Sequence, residues 1–122
     1  MPSKKFSATM VLLLAATGQS ASAQNGGAEV YKQRCAMCHS VKPADRPGIG
    51  PNLSGVVGRT AASTDYKYSL ALKRSGLKWD KATLDAYLTY PGKLVPGTRM
   101  VAQVPNAADR AKLIAFLSAP KK

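Results

Sequence analysis

The chain is short of the residues from which most metal and catalytic sites are built. Its 122 residues include one histidine and two cysteines. A structural zinc site needs about four ligands, so histidine and cysteine alone cannot complete one here. Histidine-based acid–base catalysis would have to rely on His39 by itself. No segment shows the regular alternation of apolar and polar residues that marks a half-buried strand. These absences favour an all-α fold without a zinc site.

The sequence also lacks an apolar run of the roughly 20 residues that cross a bilayer. The run from Ala8 to Ala16 is shorter, follows a basic start and precedes the small residues Ala21-Ser22-Ala23. This order is typical of a cleavable secretory signal. We therefore expect residues 1–23 to be a signal peptide and residues 24–122 to form one domain, soluble in the bacterial periplasm. An uncleaved membrane anchor is the alternative.

The two cysteines and the histidine stand together in the run Cys35-Ala36-Met37-Cys38-His39. C-x-x-C-H is the spacing used for covalent attachment of a haem. Two thiols can add to the two vinyl groups, while the adjacent imidazole binds the iron. The motif predicts one covalent haem c per chain, attached through Cys35 and Cys38 and ligated by His39. A thioredoxin-type redox pair and a structural disulfide are the rival interpretations.

Helical patterns separated by Gly- and Pro-rich loops occupy the rest of the chain. The predicted helices cover residues 28–38, 68–75, 81–90 and 107–119. Asp80 and Asn106 are the expected N-caps of the last two. Residues 41–64 carry too much Gly and Pro for sustained helix. Because a domain of about 100 residues has a small core, we expect the haem to complete the interior and the apoprotein to be largely unfolded.

A second iron ligand can be sought by elimination. His39 is the only histidine, and two of the four methionines leave with the signal. Met37 lies between the attaching cysteines, on the wrong side of the ring, which leaves Met100. The turn pair Pro96-Gly97 precedes it and could hold a sulfur in place, and Met/His is an established axial pair. The alternative is that Met100 is a core packing residue.

With these residues in place, the mature chain resembles a class I cytochrome c of the mitochondrial cytochrome c and bacterial cytochrome c2 type. The resemblance runs from about Gly26 to the C-terminus. It is carried by Gly27, Tyr31, Cys35, Cys38, His39, Gly50-Pro51-Asn52-Leu53-Ser54-Gly55, Val57-Gly58-Arg59, Tyr66, Tyr68, Trp79, Tyr87, Pro91, Pro96-Gly97-Thr98-Arg99-Met100 and Leu113-Ile114-Ala115-Phe116-Leu117. It implies that short helices and long loops wrap one haem, and that the N- and C-terminal helices cross at Gly27.

The resemblance also implies roles for individual residues. The carbonyl of Pro51 would accept the His39 N–H. The further haem-binding residues that it implies are Arg59, Tyr68 and Trp79 at the propionates, and Tyr87 and Thr98 near Met100. Without the resemblance, Trp79 and the tyrosines could be core aromatics with polar handles.

The sequence departs from the family pattern at two places in the pocket. Leu72 stands where an asparagine is common, and Ala102 stands where an aromatic often covers the haem. The first change bears on the hydrogen bonding of the haem pocket, and the second on how well the Met100 side is closed. They support an alternative function, a small-ligand-binding or peroxidase-like haem protein in which Met100 is labile.

Charge favours acidic partners. The chain has 18 basic and 6 acidic residues, a net charge of +12, and loss of Lys4 and Lys5 with the signal leaves 16 basic residues and +10. No nucleic-acid motif accompanies this charge. Gly92 and Asn106 occupy positions that are often lysine in the family, while Arg34, Lys93 and Arg99 remain as the expected docking residues.

The expected function is electron transfer rather than enzymatic catalysis. The expected partners are acidic surfaces of a cytochrome bc1 complex, terminal oxidase, reaction centre or dehydrogenase, with peripheral contact to anionic lipid compatible with the charge. The protein is expected to be a monomer. A permanently docked haem subunit of a larger oxidoreductase is a further alternative.

Overall fold

A computed structural model describes Ser3, residues 11–12 and residues 19–121. Most of the predicted signal peptide therefore lies outside the described residues. The helices are α1 (Gln19–Arg34), α2 (Leu70–Arg74), α3 (Lys81–Thr89), α4 (Pro91–Leu94) and α5 (Ala107–Ser118). Within the described part of the chain there is no strand, only an isolated bridge between Thr60 and Lys78. The all-α prediction is confirmed.

The predicted helices are present, but the first one has different ends. α1 begins at Gln19, nine residues before the expected start, and ends at Arg34, four residues before the expected end at Cys38, because the backbone turns at the first cysteine. α4 was not expected. Pro91, which ends α3 in the prediction, starts a new short helix because the fixed φ of proline suits a first helical position.

N-caps set the start of α3 and α5 as expected. The Asp80 side chain accepts from the Thr83 N–H at 2.8 Å, and the Asn106 side chain accepts from the Asp109 N–H at 2.9 Å. Each bond satisfies one of the free N–H groups that a helix leaves at its first turn. The first turns of α3 and α5 are therefore set by contacts between residues that are close in sequence.

α1 and α5 cross in direct contact at Gly27. A Cβ added to Gly27 would lie 2.1 Å from the Lys112 carbonyl oxygen and 2.5 Å from Phe116 Cβ. Only glycine lets the two backbones approach this closely. The Tyr31 and Phe116 rings extend the contact, with centroids 5.4 Å apart. The crossing implied by the family resemblance is thus present.

The core lies between α1, α3 and α5. Its buried residues from these helices are Val30, Tyr31, Leu84, Tyr87, Leu88, Leu113, Ile114 and Leu117. Burial of one such aliphatic side chain is worth about 1.5–3 kcal/mol. The long loop between α1 and α2 contains no helix, as its glycines and prolines predict. No helix among the described residues is long and apolar enough to cross a membrane.

Candidate haem site

The C-x-x-C-H segment forms a tight turn directly after α1. The Cys35 and Ala36 N–H groups both donate to the Tyr31 carbonyl, at 2.8 and 2.9 Å, and the His39 N–H donates to the Cys35 carbonyl at 3.0 Å. Cys35 is buried and Cys38 is half-buried, whereas Met37 between them is 89% exposed. The turn therefore separates the two thiols from the Met37 thioether.

Cys35 and Cys38 are not joined by a disulfide. A thiol can add across a vinyl group only when it is not tied up in such a bond, so both sulfurs can serve as haem anchors.

The His39 ring is held in one orientation by a carbonyl and a glycine. Its Nδ1 lies 2.7 Å from the Pro51 carbonyl oxygen. Because a carbonyl can only accept, Nδ1 carries the proton and Nε2 keeps its lone pair. Burial lowers the pKa of His39, and the bond to Pro51 acts in the opposite direction. A Cβ on Gly50 would lie 2.5 Å from His39 Cε1, so only glycine fits against the ring.

The segment that carries Met100 is tied to α3 on both sides. The Tyr87 hydroxyl and the Thr98 hydroxyl are 2.5 Å apart, and the Val104 N–H donates to the Leu88 carbonyl at 2.8 Å. Gly97, directly before Thr98, permits the turn that leads into this segment with a φ of 91°. Met100 is half-buried and packs against the core. Its position is therefore set by bonds of neighbouring residues.

Comparison with known proteins identifies the family. The family model for cytochrome c matches residues 24–120. A cytochrome c2 of Rhodomicrobium vannielii is 51% identical over 94 residues, which are 75% of this chain and 74% of that protein. A cytochrome c of Theileria annulata is 46% identical over 92 residues, which are 75% and 80% of the two chains. The solved structure of cytochrome cH from Methylobacterium extorquens matches with a TM-score of 0.71 and 38% identity, over 77% of this chain and 95% of that one.

The chain belongs to the cytochrome c family. It is therefore an electron-transfer protein rather than an enzyme, and it carries a covalently bound c-type haem. The local chemistry fits this cofactor: two cysteines that are not joined by a disulfide stand three positions apart, and the adjacent His39 imidazole bonds to Pro51 through Nδ1, which leaves Nε2 for iron. Among the described residues no cluster of three or more His, Cys, Asp or Glu side chains forms a metal site of another kind.

The three residues expected at the haem propionates of this cytochrome c lie close to one another. The backbone N–H of Trp79 donates to the Arg59 carbonyl at 2.8 Å, next to the Thr60–Lys78 bridge. Burial lowers the pKa of Arg59, while the nearby Tyr68 acts in the opposite direction. The Tyr68 hydroxyl is hydrogen-bonded to Thr64.

The Arg59 guanidinium is half-buried and binds two backbone carbonyls. It donates to the Ser54 oxygen at 3.0 Å and to the Asn52 oxygen at 3.1 Å. Within the described residues it forms no salt bridge. A half-buried cation next to neutral oxygens alone suits an anionic group of a cofactor.

The three expected docking residues are all exposed. Arg34 ends α1, Lys93 lies in α4, and Arg99 directly precedes Met100. None of them forms a salt bridge with another described residue. Their charges are therefore available to an external partner.

Two residues of the cytochrome c, Tyr31 and Arg110, make contacts that were not foreseen from the sequence. The Tyr31 hydroxyl donates to the His39 carbonyl oxygen at 2.8 Å. Arg110 in α5 donates to the Val104 and Pro105 carbonyls, at 3.0 and 2.9 Å, and pairs with Asp85 at 2.8 Å. Its side chain is 11% exposed. Tyr31 had a sequence signal as an aromatic at the family position, whereas no pattern links Arg110 to Asp85, 25 residues away.

Proposed function

We propose that this chain is a one-electron carrier in which His39 and Met100 hold the haem iron from opposite sides. When bound, the haem supplies an iron that changes between the ferric and ferrous states. The observation that carries the proposal is the His39 ring, whose Nδ1 bond to Pro51 leaves Nε2 for the iron. Met100 is the half-buried methionine at the core, whereas Met37 is exposed.

The residues around the two ligands would keep the site dry and unchanged in both oxidation states. The hydroxyls of Tyr87 and Thr98 form a hydrogen bond with each other beside the Met100 segment. Partial burial of both His39 and Met100 disfavours the extra positive charge of ferric iron. Thioether ligation acts in the same direction, so we expect a reduction potential above that of an exposed or bis-imidazole haem.

The visible spectrum of the mature holoprotein tests this ligation. We expect a far-red sulfur-to-iron band in the ferric form and no spectral change when CO is added to the ferrous form. Met100→Leu should abolish the band and admit CO. Met37→Leu is the matched control, because it removes an exposed thioether and should leave both properties intact. A band that survives in Met100→Leu would refute the proposal.

We further propose that Arg34, Lys93 and Arg99 attract acidic redox partners. Support comes from their exposure and from the net charge of +10 after signal cleavage. Electron transfer to a purified cytochrome bc1 complex or terminal oxidase should slow as salt rises, because exposed charges are screened within about 10 Å at 0.1 M. Arg99→Gln should weaken this dependence more than Lys81→Gln on α3. Equal slopes for both variants would exclude a docking role for Arg99.

Export is part of the proposal, with cleavage after Ala23 and release into the periplasm. The match to the family model begins at residue 24, directly after the expected site. Cleavage would retain α1 from Gln24 to Arg34 and with it the Gly27 crossing. Mass spectrometry of the periplasmic protein should show a chain that begins at Gln24. A membrane-bound chain that keeps residues 1–23 would contradict it.

Two alternative functions can be tested with the same mature holoprotein. Ala102 and Val101 are exposed beside Met100, which favours a small-ligand-binding protein if the thioether leaves the iron. CO binding by the wild-type ferrous form would support that function. A permanently docked subunit would co-elute with its partner in gel filtration, whereas a free carrier would elute as a monomer.

A further inference from the structure

Tyr31 connects the helix crossing to the turn that carries His39. Its ring lies against Phe116 of α5, with centroids 5.4 Å apart and planes at 39°. Its hydroxyl donates to the His39 carbonyl oxygen at 2.8 Å. One side chain thus contacts both the α1–α5 interface and the backbone of the predicted ligand.

The hydroxyl holds the His39 carbonyl, which forms no other hydrogen bond within the part of the chain that the structure describes. The ring is held at Nδ1 by the Pro51 carbonyl, 2.7 Å away, and the backbone N–H is held by Cys35. The carbonyl is the third point. A residue held at its N–H, its carbonyl and its ring has little freedom left at ψ or χ1, and such supporting contacts are what orient a metal ligand.

We propose that Tyr31 is a positioning residue for the axial ligand His39, acting through the hydrogen bond from its hydroxyl to the His39 carbonyl. The proposal rests on His39 being the iron ligand. It assigns the hydroxyl a role separate from that of the ring, since the ring alone is sufficient for packing against Phe116. A phenylalanine at this position would keep the helix contact and lose the connection to the ligand.

The single histidine makes this testable at atomic resolution. Histidine labelled with 13C at the carbonyl and 15N in the ring gives resonances from His39 alone in the diamagnetic ferrous protein. The shift of the carbonyl resonance between H2O and D2O should be different in the wild type from that in Tyr31→Phe, because the amide protons exchange in both proteins and the hydroxyl proton exchanges only in the wild type. Equal isotope shifts in the two proteins would mean that the bond is absent and would overturn the proposal.

Tyr31→Phe tests the consequence for the ligand. We expect the His39 carbonyl resonance to move upfield, the ring 15N resonances to shift, and the reduction potential to fall as the proximal backbone becomes more accessible to water. Phe116→Leu is the matched control, because it weakens the same helix contact and leaves the hydroxyl in place. It should lower the Tm while the His39 resonances stay within their linewidth. Tyr90→Phe, at an exposed tyrosine, should change neither property.

Two outcomes would overturn the proposal. If Tyr31→Phe lowers the Tm as Phe116→Leu does and leaves the ring 15N resonances and potential unchanged, Tyr31 has a structural role only. If both variants shift the ring resonances equally, the helix contact and not the hydroxyl positions His39. A wild-type protein whose ring nitrogen shows no iron ligation would instead refute the proposed ligation itself, which is a separate result.

Discussion

The two predicted ligands of the iron are held in different ways. His39 is held by its own atoms: its ring, its N–H and its carbonyl each have a hydrogen-bond partner, and Gly50 packs against the ring. Met100 forms no hydrogen bond with another described residue, and its segment is fixed at Thr98 and Val104. Between these points Val101 is 85% exposed.

This difference indicates which side of the site opens first. A thioether is a weak hydrogen-bond acceptor, so the protein can place it only by placing its neighbours. Hydrogen bonds tie this segment to Tyr87, Leu88 and Arg110. Within the segment they start at Thr98, Val104 and Pro105, which lie two to five residues from Met100 along the chain. Loss of one link would release the Met100 segment locally, whereas movement of His39 requires several contacts to break together.

The largest effect is expected from Gly50→Ala on the His39 side. The added Cβ would lie 2.5 Å from Cε1 and 2.8 Å from Nδ1 of a ring that cannot move away without losing Pro51. We expect a loss of about 3 kcal/mol in the free energy of unfolding, measured by urea titration. Gly92→Ala is the control, since its added Cβ would lie 4.0 Å from Tyr90 Cε2, an ordinary van der Waals contact. Equal stability of the two variants would show that the Gly50 contact is dispensable.

Arg110→Met is expected to destabilise the protein less than Gly50→Ala does. It should also weaken the ligation of the iron by Met100. The change leaves the Val104 and Pro105 carbonyls without their donor and Asp85 without its partner. We expect a loss of about 2 kcal/mol, and CO binding by the ferrous protein should become measurable. Lys81→Met removes an exposed charge from α3 and should do neither. If Arg110→Met excludes CO as well as the wild type does, Arg110 does not secure the Met100 segment.

Thr98→Val removes one link and should cost about 1 kcal/mol. The valine keeps the shape of the side chain but cannot bond to the Tyr87 hydroxyl. The far-red band of the ferric form should disappear at a lower urea concentration than in the wild type. Thr89→Val removes a hydroxyl that donates to the Asp85 carbonyl within α3 and should leave the band unchanged. The prediction fails if both variants lose the band at the same concentration.

The smallest effect concerns the start of α3, the helix to which the Met100 segment is tied. Hydrogen bonds from Thr83 hold the pKa of Asp80 below its usual value. In acid the unfolded chain takes up this proton first, so the contribution of Asp80 is present above about pH 4 and is lost as the pH falls through the lower folded value. Asp80→Asn keeps the cap without the titration. Urea titrations should show that the free energy of unfolding falls more between about pH 5 and pH 3 in the wild type than in Asp80→Asn. An equal fall in both proteins would contradict this.

The sequence was most informative where a contact is local. The C-x-x-C-H spacing predicts the haem, and the caps at Asp80 and Asn106 lie within three residues of the groups that they bond. The resemblance to the family supplied the Pro51 carbonyl as the acceptor for His39, which the structure confirms.

Contacts between distant parts of the chain were not predictable in the same way. Arg110 and Asp85 are polar positions in two sequence patterns that are each typical of an ordinary amphipathic helix. Their pairing depends on how α3 and α5 pack, and no local propensity encodes it. The hydroxyl of Tyr31 is similar, because its bond to His39 exists only after the chain turns at Cys35.

The most direct test of the difference between the two sides is one urea titration of the mature ferric protein. The far-red sulfur-to-iron band reports Met100, and the paramagnetically shifted signals of the single histidine report His39. We predict that the band disappears at a urea concentration at which the His39 signals are still those of the native ligand. Simultaneous loss of both, or loss of the His39 signals first, would contradict the conclusion that His39 is the more firmly held ligand.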